Sequence, residues 1–393
     1  MDTVLAYGSN LMPAMSVDEL VTRTVPFFHT VRERLGWSRL GLDLHLDAGV
    51  ITACQGDPDQ VDTIRHALDA AGLAVVSINA FPLHGFQTGV VKDRAYEPSW
   101  LRRERLELTC AAMDLAAVLC EGATISVSTS PGSYRPWGEQ ANDVKAIAAG
   151  FGRAAAHALR LSQRCGKHVV LCPEPEPRCT LSTVSETVRF WGYPIPAFAR
   201  PAASEALGHD ETAAQMAIAD HLGLCLDTCH LAVEFEDPTT AHTRLAEAGA
   251  TPVKLQLSAC PEVIEPGRDR AAVRALRAMA EPCFLHQTTW RTRDGNVTRL
   301  EDLDALDPAD PALDAADCLR THFHIPIHRP PLTAGIGSTI DGALAALPAM
   351  CAAQPCQLCV ETYTWSVLTA DHEDRSAGVA AELAFLAEAL STR

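Results

Sequence analysis

Residues 172–179, CPEPEPRC, follow the apolar run HVVL and set Glu174 and Glu176 among three prolines. Proline fixes φ and removes a backbone donor, so Pro173, Pro175 and Pro177 forbid helix and present the two carboxylates from an extended, stiff segment. Other apolar runs of the chain carry similar polar residues at their ends. Run 222–232 holds Asp227 with His230 three residues on, run 252–259 holds Gln256, run 356–365 holds Glu361, and THFHIPIH adds His322, His324 and His328. Two glutamates, an aspartate and a histidine converging on one mouth would form a hard, oxygen-rich site for a divalent ion: Mn, Mg, Co or Zn. Such a site suits proton abstraction next to a carbonyl, where charge develops on substrate oxygen. Glu174 and Glu361 are the expected ligands with acid/base duty. His230, Glu176 and His322 are expected to face the substrate.

The elements that would position these residues recur along the chain. Short β-rich runs fall at 3–10, 40–47, 74–82, 123–132, 168–177, 222–232, 252–259 and 356–365. Between them lie amphipathic segments such as DPDQVDTIRHALDAAG and DPTTAHTRLAEAGA, opened by Asp caps and closed by Gly. Strand and helix alternating eight times predicts an α/β fold, a closed (β/α)8 barrel, and chemistry in such a barrel collects at the carboxyl ends of its strands. One domain is expected over 1–393, with insertions near 178–206 and 260–336. The first insertion, a long loop after strand five, carries Phe190, Trp191, Tyr193 and Phe198; the second carries Asp294-Gly295 between β-type runs, a hairpin signal. Segment 79–100, NAFPLHGFQTGVVKDRAYEPSW, is expected to bring His84, Phe86, Lys92 and Trp100 over the mouth. Phe86, Trp100 and Trp191 would form an aromatic lid that covers a substrate and excludes water. The Ala- and Glu-rich stretch 376–393 reads as a closing helix.

Composition narrows the partners. With 47% apolar and 21% charged residues, 393 residues can bury a large core. The formal charge of −17 disfavours nucleic acid and anionic membrane surfaces, and with them a metal-dependent nuclease. A small-molecule metabolite is the expected partner. The first residues have no basic or long apolar region and no run of about 18 apolar residues follows, so no membrane insertion is expected and a cytoplasmic location is. Fourteen cysteines, several inside apolar runs, fit reduced thiols that pack as small hydrophobes. Cys356 and Cys359 form a CxxC without a second pair, inside what reads as a strand.

Glu at strand five, DxxH at strand six and Glu at strand eight resemble the pattern of the xylose-isomerase-like TIM barrels. More closely, YGSNLMP, NAFPLHGFQTGVVKDRAYEPSW, EPEPRCTL, DTCHLAVEFEDP, VKLQLSA, LHQT, HFHIPI and VETYTW resemble the motifs of the EboE metabolite-traffic family. This resemblance implies the barrel fold and the handling of a small metabolite, alongside other proteins of the ebo clusters, which are thought to move a precursor out of the cytosol. Carried over from the superfamily, Glu174, Asp227 and Glu361 match metal ligands, and His230 matches a substrate-contacting histidine. The remaining ligand departs from the pattern, because the superfamily's strand-seven His is replaced by Gln256. Either Gln256 serves, or His324 takes over as the better donor. Strand seven is then 252–259 or 321–327. Gln256 also favours a second function, a carrier that keeps the pocket without turnover.

Overall fold

The computed structural model describes residues 5–138, 140, 143–329, 333–352, 356–368 and 372–391. Residues 3–4 of the first expected strand, Pro330 and Pro331 after the HFHIPIH stretch, and residues 392–393 of the closing helix lie outside them.

Eight parallel strands make the barrel. In chain order they are β1 (Ala6–Gly8), β2 (Leu40–His45), β3 (Leu73–Asn79), β4 (Thr124–Thr129), β5 (His168–Pro173), β6 (Leu224–Asp227) and β7 (Pro252–Leu257), with the eighth supplied near the end of the chain. Four strands intervene: β8 (Pro261–Ile264), β9 (Thr288–Thr292), β10 (Val297–Leu300) and β11 (Ala316–Thr321). After the short β12 (Gly337–Ser338) comes β13 (Gln357–Val360), which lies between β1 and β7. The sheet order is β5-β4-β3-β2-β1-β13-β7-β6, and a parallel bridge from Leu171 to Leu222 brings the β6 edge back to β5. The fold is therefore a (β/α)8 barrel.

Local sequence explains the outer layer. Helix Pro58–Ala71 starts at Asp57, whose side chain accepts from the amides of Asp59 and Gln60, and stops at Gly72 with φ +68°. Helix Pro238–Glu247 repeats the device with Asp237. Helix Val144–Cys165 turns an Ala-rich face inward, and Gly152 lets it approach the Ala199 carbonyl so closely that a Cβ there would stand 2.0 Å from that oxygen. The barrel interior is polar rather than oily at one level: Lys254 Nζ lies 2.6 Å from Asp43 Oδ2 and 2.9 Å from Ser128 Oγ.

Several expectations need correction. The run 222–232 is strand only to Asp227; Thr228–Val233 is helix, with Asp227 as its cap. Run 356–365 is strand only over Gln357–Val360. Strand seven is Pro252–Leu257, which pairs with β6 and β13, whereas His322 and His324 follow β11 in a separate sheet. Segment 178–206 is largely helical, over Val184–Gly192 and Arg200–Ala206, and not a long loop.

The hairpin falls where Asp294-Gly295 places it, with β9 and β10 antiparallel and Gly295 at φ +87°. Around it the insertion builds much more. Its antiparallel sheet has the order β10-β9-β11-β8-β12, over an apolar cluster of its own that includes Val263, Val273, Leu276, Trp290, Leu313 and Leu319.

Candidate metal centre and pocket

Backbone ladders fix the carboxylates. The amide of Glu174 donates to Thr129 O at 3.0 Å, extending β5 past its last residue, and that of Glu361 donates to Leu257 O at 3.1 Å, extending β13. Asp227 ends β6 and accepts from the His230 amide (3.0 Å) and Ser258 Oγ (2.7 Å). Strands β5, β6 and β13 thus deliver three buried carboxylates to one point, with ligand atoms of Glu174, Asp227 and Glu361 all within 4.8 Å of one another. Gln256, from β7 between them, faces all three: its Nε2 is 3.0 Å from Glu174 Oε1 and 3.5 Å from Asp227 Oδ2, and it also bonds Glu361 Oε2. An amide has two protons and cannot satisfy three carboxylates. Glu174 Oε2 is buried without a partner.

The electrostatics follow. Burial, and then the charges of Glu361 and Asp227, push the Glu174 carboxyl well above its usual range. Burial and Asp227 do the same to Glu361. Asp227 is pushed up by burial but pulled further down by His230, His324 and its hydrogen bonds, so it stays the charged member. Two carboxyls that resist ionisation beside a third that does not are a donor set a divalent cation would relieve. The residues therefore fit such an ion.

His324 reaches the same point from the insertion. Its Nδ1 is 2.9 Å from the Glu361 carbonyl oxygen, which requires the proton there and leaves Nε2 bare; Nε2 is 3.9 Å from Asp227 Oδ1, buried, and without a partner. Burial lowers this imidazole to about 4, which keeps it neutral and able to ligate. The structure thus brings both candidates, Gln256 and His324, to the three carboxylates.

The cavity above is small, with a volume of about 60 Å³. Glu174, Glu176, His230, His322 and Glu361 line it, together with Phe86 and Lys92. Glu176 takes a hydrogen bond from Tyr96 Oη at 2.7 Å, and burial pushes its carboxyl up to about 7 against the pull of His230 and Tyr96. His230 and His322 meet Nε2 to Nε2 at 3.0 Å. Burial, and then His230 and His324, hold His322 well below the usual imidazole range. Phe86, Phe284 and Tyr363 form an aromatic box, with ring centroids 5.1–5.5 Å apart. Gln87 carries the Phe86 loop over the barrel mouth by donating to the carbonyls of Asn10 and Tyr363.

Three expected lid or substrate residues are elsewhere. Trp100 is 3% exposed and packs edge-on against Phe151 while donating to Ser130 O. Trp191 is buried beside Phe190 in the outer helical layer. Their large apolar rings were better buried in the core than held over water. His84 is half-exposed on the outer surface, 3.7 Å from Glu104. Lys92 does reach the pocket, but its ammonium is engaged by Asp302 at 2.5 Å and the Glu281 carbonyl.

Sequence reasoning missed Asn10, which donates to Glu361 Oε1 at 2.6 Å, and also Tyr96, Ser258, Gln287 and Tyr363. Asn10 closely follows β1, so extending the inspection of strand ends to the first strand would have found it.

A barrel with ligand-type side chains at the carboxyl ends of its strands is the class that fold and site define. No protein family matches the sequence, and no curated protein does. Among solved structures, the chain is similar to a xylose isomerase-like TIM barrel protein from Mycobacterium smegmatis in complex with magnesium (13% identity, 97% of each chain, TM-score 0.46). It is also similar to the IolI protein with a bound zinc atom (9% identity, 99% of this chain and 98% of that one, TM-score 0.47). A third is a xylose isomerase domain-containing protein from Salmonella typhimurium LT2 (12% identity, 98% of each chain, TM-score 0.45). Among the described residues, no helix is long and apolar enough to cross a membrane.

Proposed function

We propose that the chain is a divalent-cation-dependent isomerase or epimerase of an uncharged, sugar-like or aromatic-bearing polyol. The observation that carries this is the trio of buried carboxylates Glu174, Asp227 and Glu361, of which Glu174 and Glu361 line an aromatic-walled cavity. These three, with His324 or Gln256 as the fourth donor, would hold the ion. A bound ion supplies electrostatic stabilisation of negative charge on substrate oxygen. Gln256 could join only with its amide turned, since Nε2 now faces the carboxylates and Oε1 accepts from Cys225.

The chain's own groups do the proton work. One glutamate of the pair Glu174 and Glu361 takes the proton from the carbon next to the carbonyl, and the electron pair left behind moves onto the carbonyl oxygen. Return of a proton to the opposite face of that carbon inverts it. Return to the former carbonyl carbon, with an oxygen-bound proton crossing to the new hydroxyl, moves the carbonyl instead. On this reading His230 and Glu176 would contact substrate hydroxyls. Phe86, Phe284 and Tyr363 would cover an apolar ring face and exclude water. Lys92 is the one Lys or Arg among the described lining residues and is already paired, which disfavours a phosphorylated substrate.

We place the chain beside the EboE metabolite-traffic family on its sequence motifs, with a small metabolite and other ebo-cluster proteins as partners. Gln256 in the strand-seven position favours the second reading, a metabolite carrier without turnover. Solvent deuterium exchange separates the two. With Mn²⁺ in D₂O, the enzyme should incorporate deuterium at carbon into a member of a sugar and polyol panel, and Glu361→Gln should abolish it. Ligand binding with no exchange across the panel would favour the carrier.

A further inference from the structure

Two imidazoles in the pocket wall meet through their Nε2 atoms. His230 Nδ1 lies 3.0 Å from the carbonyl oxygen of Pro175, which only accepts, so His230 carries its proton at Nδ1. His322 Nδ1 lies 2.7 Å from Gln287 Oε1. The Gln287 amide is not free to turn, because its Nε2 donates to the Pro177 carbonyl at 3.1 Å and to Tyr96 Oη at 2.8 Å. His322 therefore also carries its proton at Nδ1. The two Nε2 atoms then face each other across 3.0 Å. With Nδ1 a donor in each ring, a proton or a metal cation must lie between or beside them.

A third donor stands with them. Ligand atoms of Glu176, His230 and His322 lie within 4.8 Å of one another, all buried. Tyr96, which accepts from Gln287, donates its hydroxyl to Glu176 Oε1, while Glu176 Oε2 is buried with no partner. One hydrogen-bonded chain, from the Pro177 carbonyl through Gln287 to Tyr96 and Glu176, thus fixes two of the three donors. This is how ligand residues are oriented from behind.

We propose that Glu176, His230 and His322 form a second cation site, separate from the three-carboxylate centre and facing the same cavity. Two imidazoles and one carboxylate are the donor set of open zinc sites and of non-haem iron(II) sites, softer than the oxygen-rich trio next to it. The pocket would then hold two ions of different preference, suited to a substrate with two neighbouring oxygen donors. The site does not depend on the first centre being filled.

The test is metal content of the full chain, stripped with chelator and re-equilibrated with Zn²⁺ or Co²⁺. Wild type should bind two equivalents. His322→Asn and Glu176→Gln should each bind one, as should Glu174→Gln. The visible absorption of histidine-bound Co²⁺ should be present in wild type and Glu174→Gln and be weakened in His322→Asn, with circular dichroism unchanged. One equivalent lost with Glu174→Gln but not with His322→Asn or Glu176→Gln would overturn the second site and leave the first. One equivalent lost only with the latter variants would keep this site and overturn the carboxylate centre. No bound ion, and no such Co²⁺ absorption in wild type, would overturn both and leave a proton shared between the two rings.

Discussion

Lys254 and Asp43 form an ion pair at 2.6 Å in the barrel interior, both fully buried, two residues along β7 from Gln256 and on the same side of the strand. The lysine charge therefore sits beneath the carboxylates, and it partly offsets the upward push on Glu174 and Glu361. Lys254→Met would leave the buried Asp43 carboxyl without its counter-ion, held only by Ser77 Oγ at 2.6 Å. It should destabilise the fold by roughly 3–5 kcal/mol in urea unfolding, and the double variant with Asp43→Leu should recover much of that loss. An unchanged unfolding midpoint in the single variant would contradict this role.

Trp100 and His84 separate core from site. Trp100→Ala should cost roughly 3–5 kcal/mol of stability through the cavity it leaves beside Phe151 and Gly150. Metal content of the folded fraction should not change. His84→Ala should alter neither stability nor metal content measurably. Loss of bound metal in either variant would return those residues to the mouth.

Much of the site was legible because its carriers are short and local. Glu174, Asp227 and Glu361 are the residues where an apolar run meets punctuation, and in a parallel barrel that place is the mouth whatever the helices do. Direction beyond a strand end was not legible. Trp100 lies in the same segment as Phe86, yet it turns inward because Gly150 leaves room for its ring. His322 and His324 reach the pocket only after the chain has built a second sheet, a long-range placement with no periodic signature. Segment 178–206 reads as a long loop, although Thr183 and Glu186 form a capping box that announces a helix.

Glu236 gives the fold a pH dependence away from the pocket. Both of its oxygens accept from the Val184 amide, but burial, with Glu234 close by, pushes its carboxyl up to about 7. An unfolded glutamate titrates near ~4.3. Between those values the folded state binds more protons than the unfolded chain, so this group's contribution falls as pH rises through the window and is level above it. Glu236→Gln should therefore flatten the decline in stability between about pH 5 and pH 7, read from denaturant midpoints. Identical slopes in variant and wild type would contradict the assignment.

Whether the three carboxylates are a cation centre is tested most directly by anomalous diffraction from crystals equilibrated with Mn²⁺. The account predicts a peak with oxygens of Glu174, Asp227 and Glu361 at roughly 2.0–2.3 Å, and with Gln256 either turned or displaced. A pocket floor without that peak, in which the Gln256 Nε2 still faces all three carboxyls at saturating Mn²⁺, would contradict it.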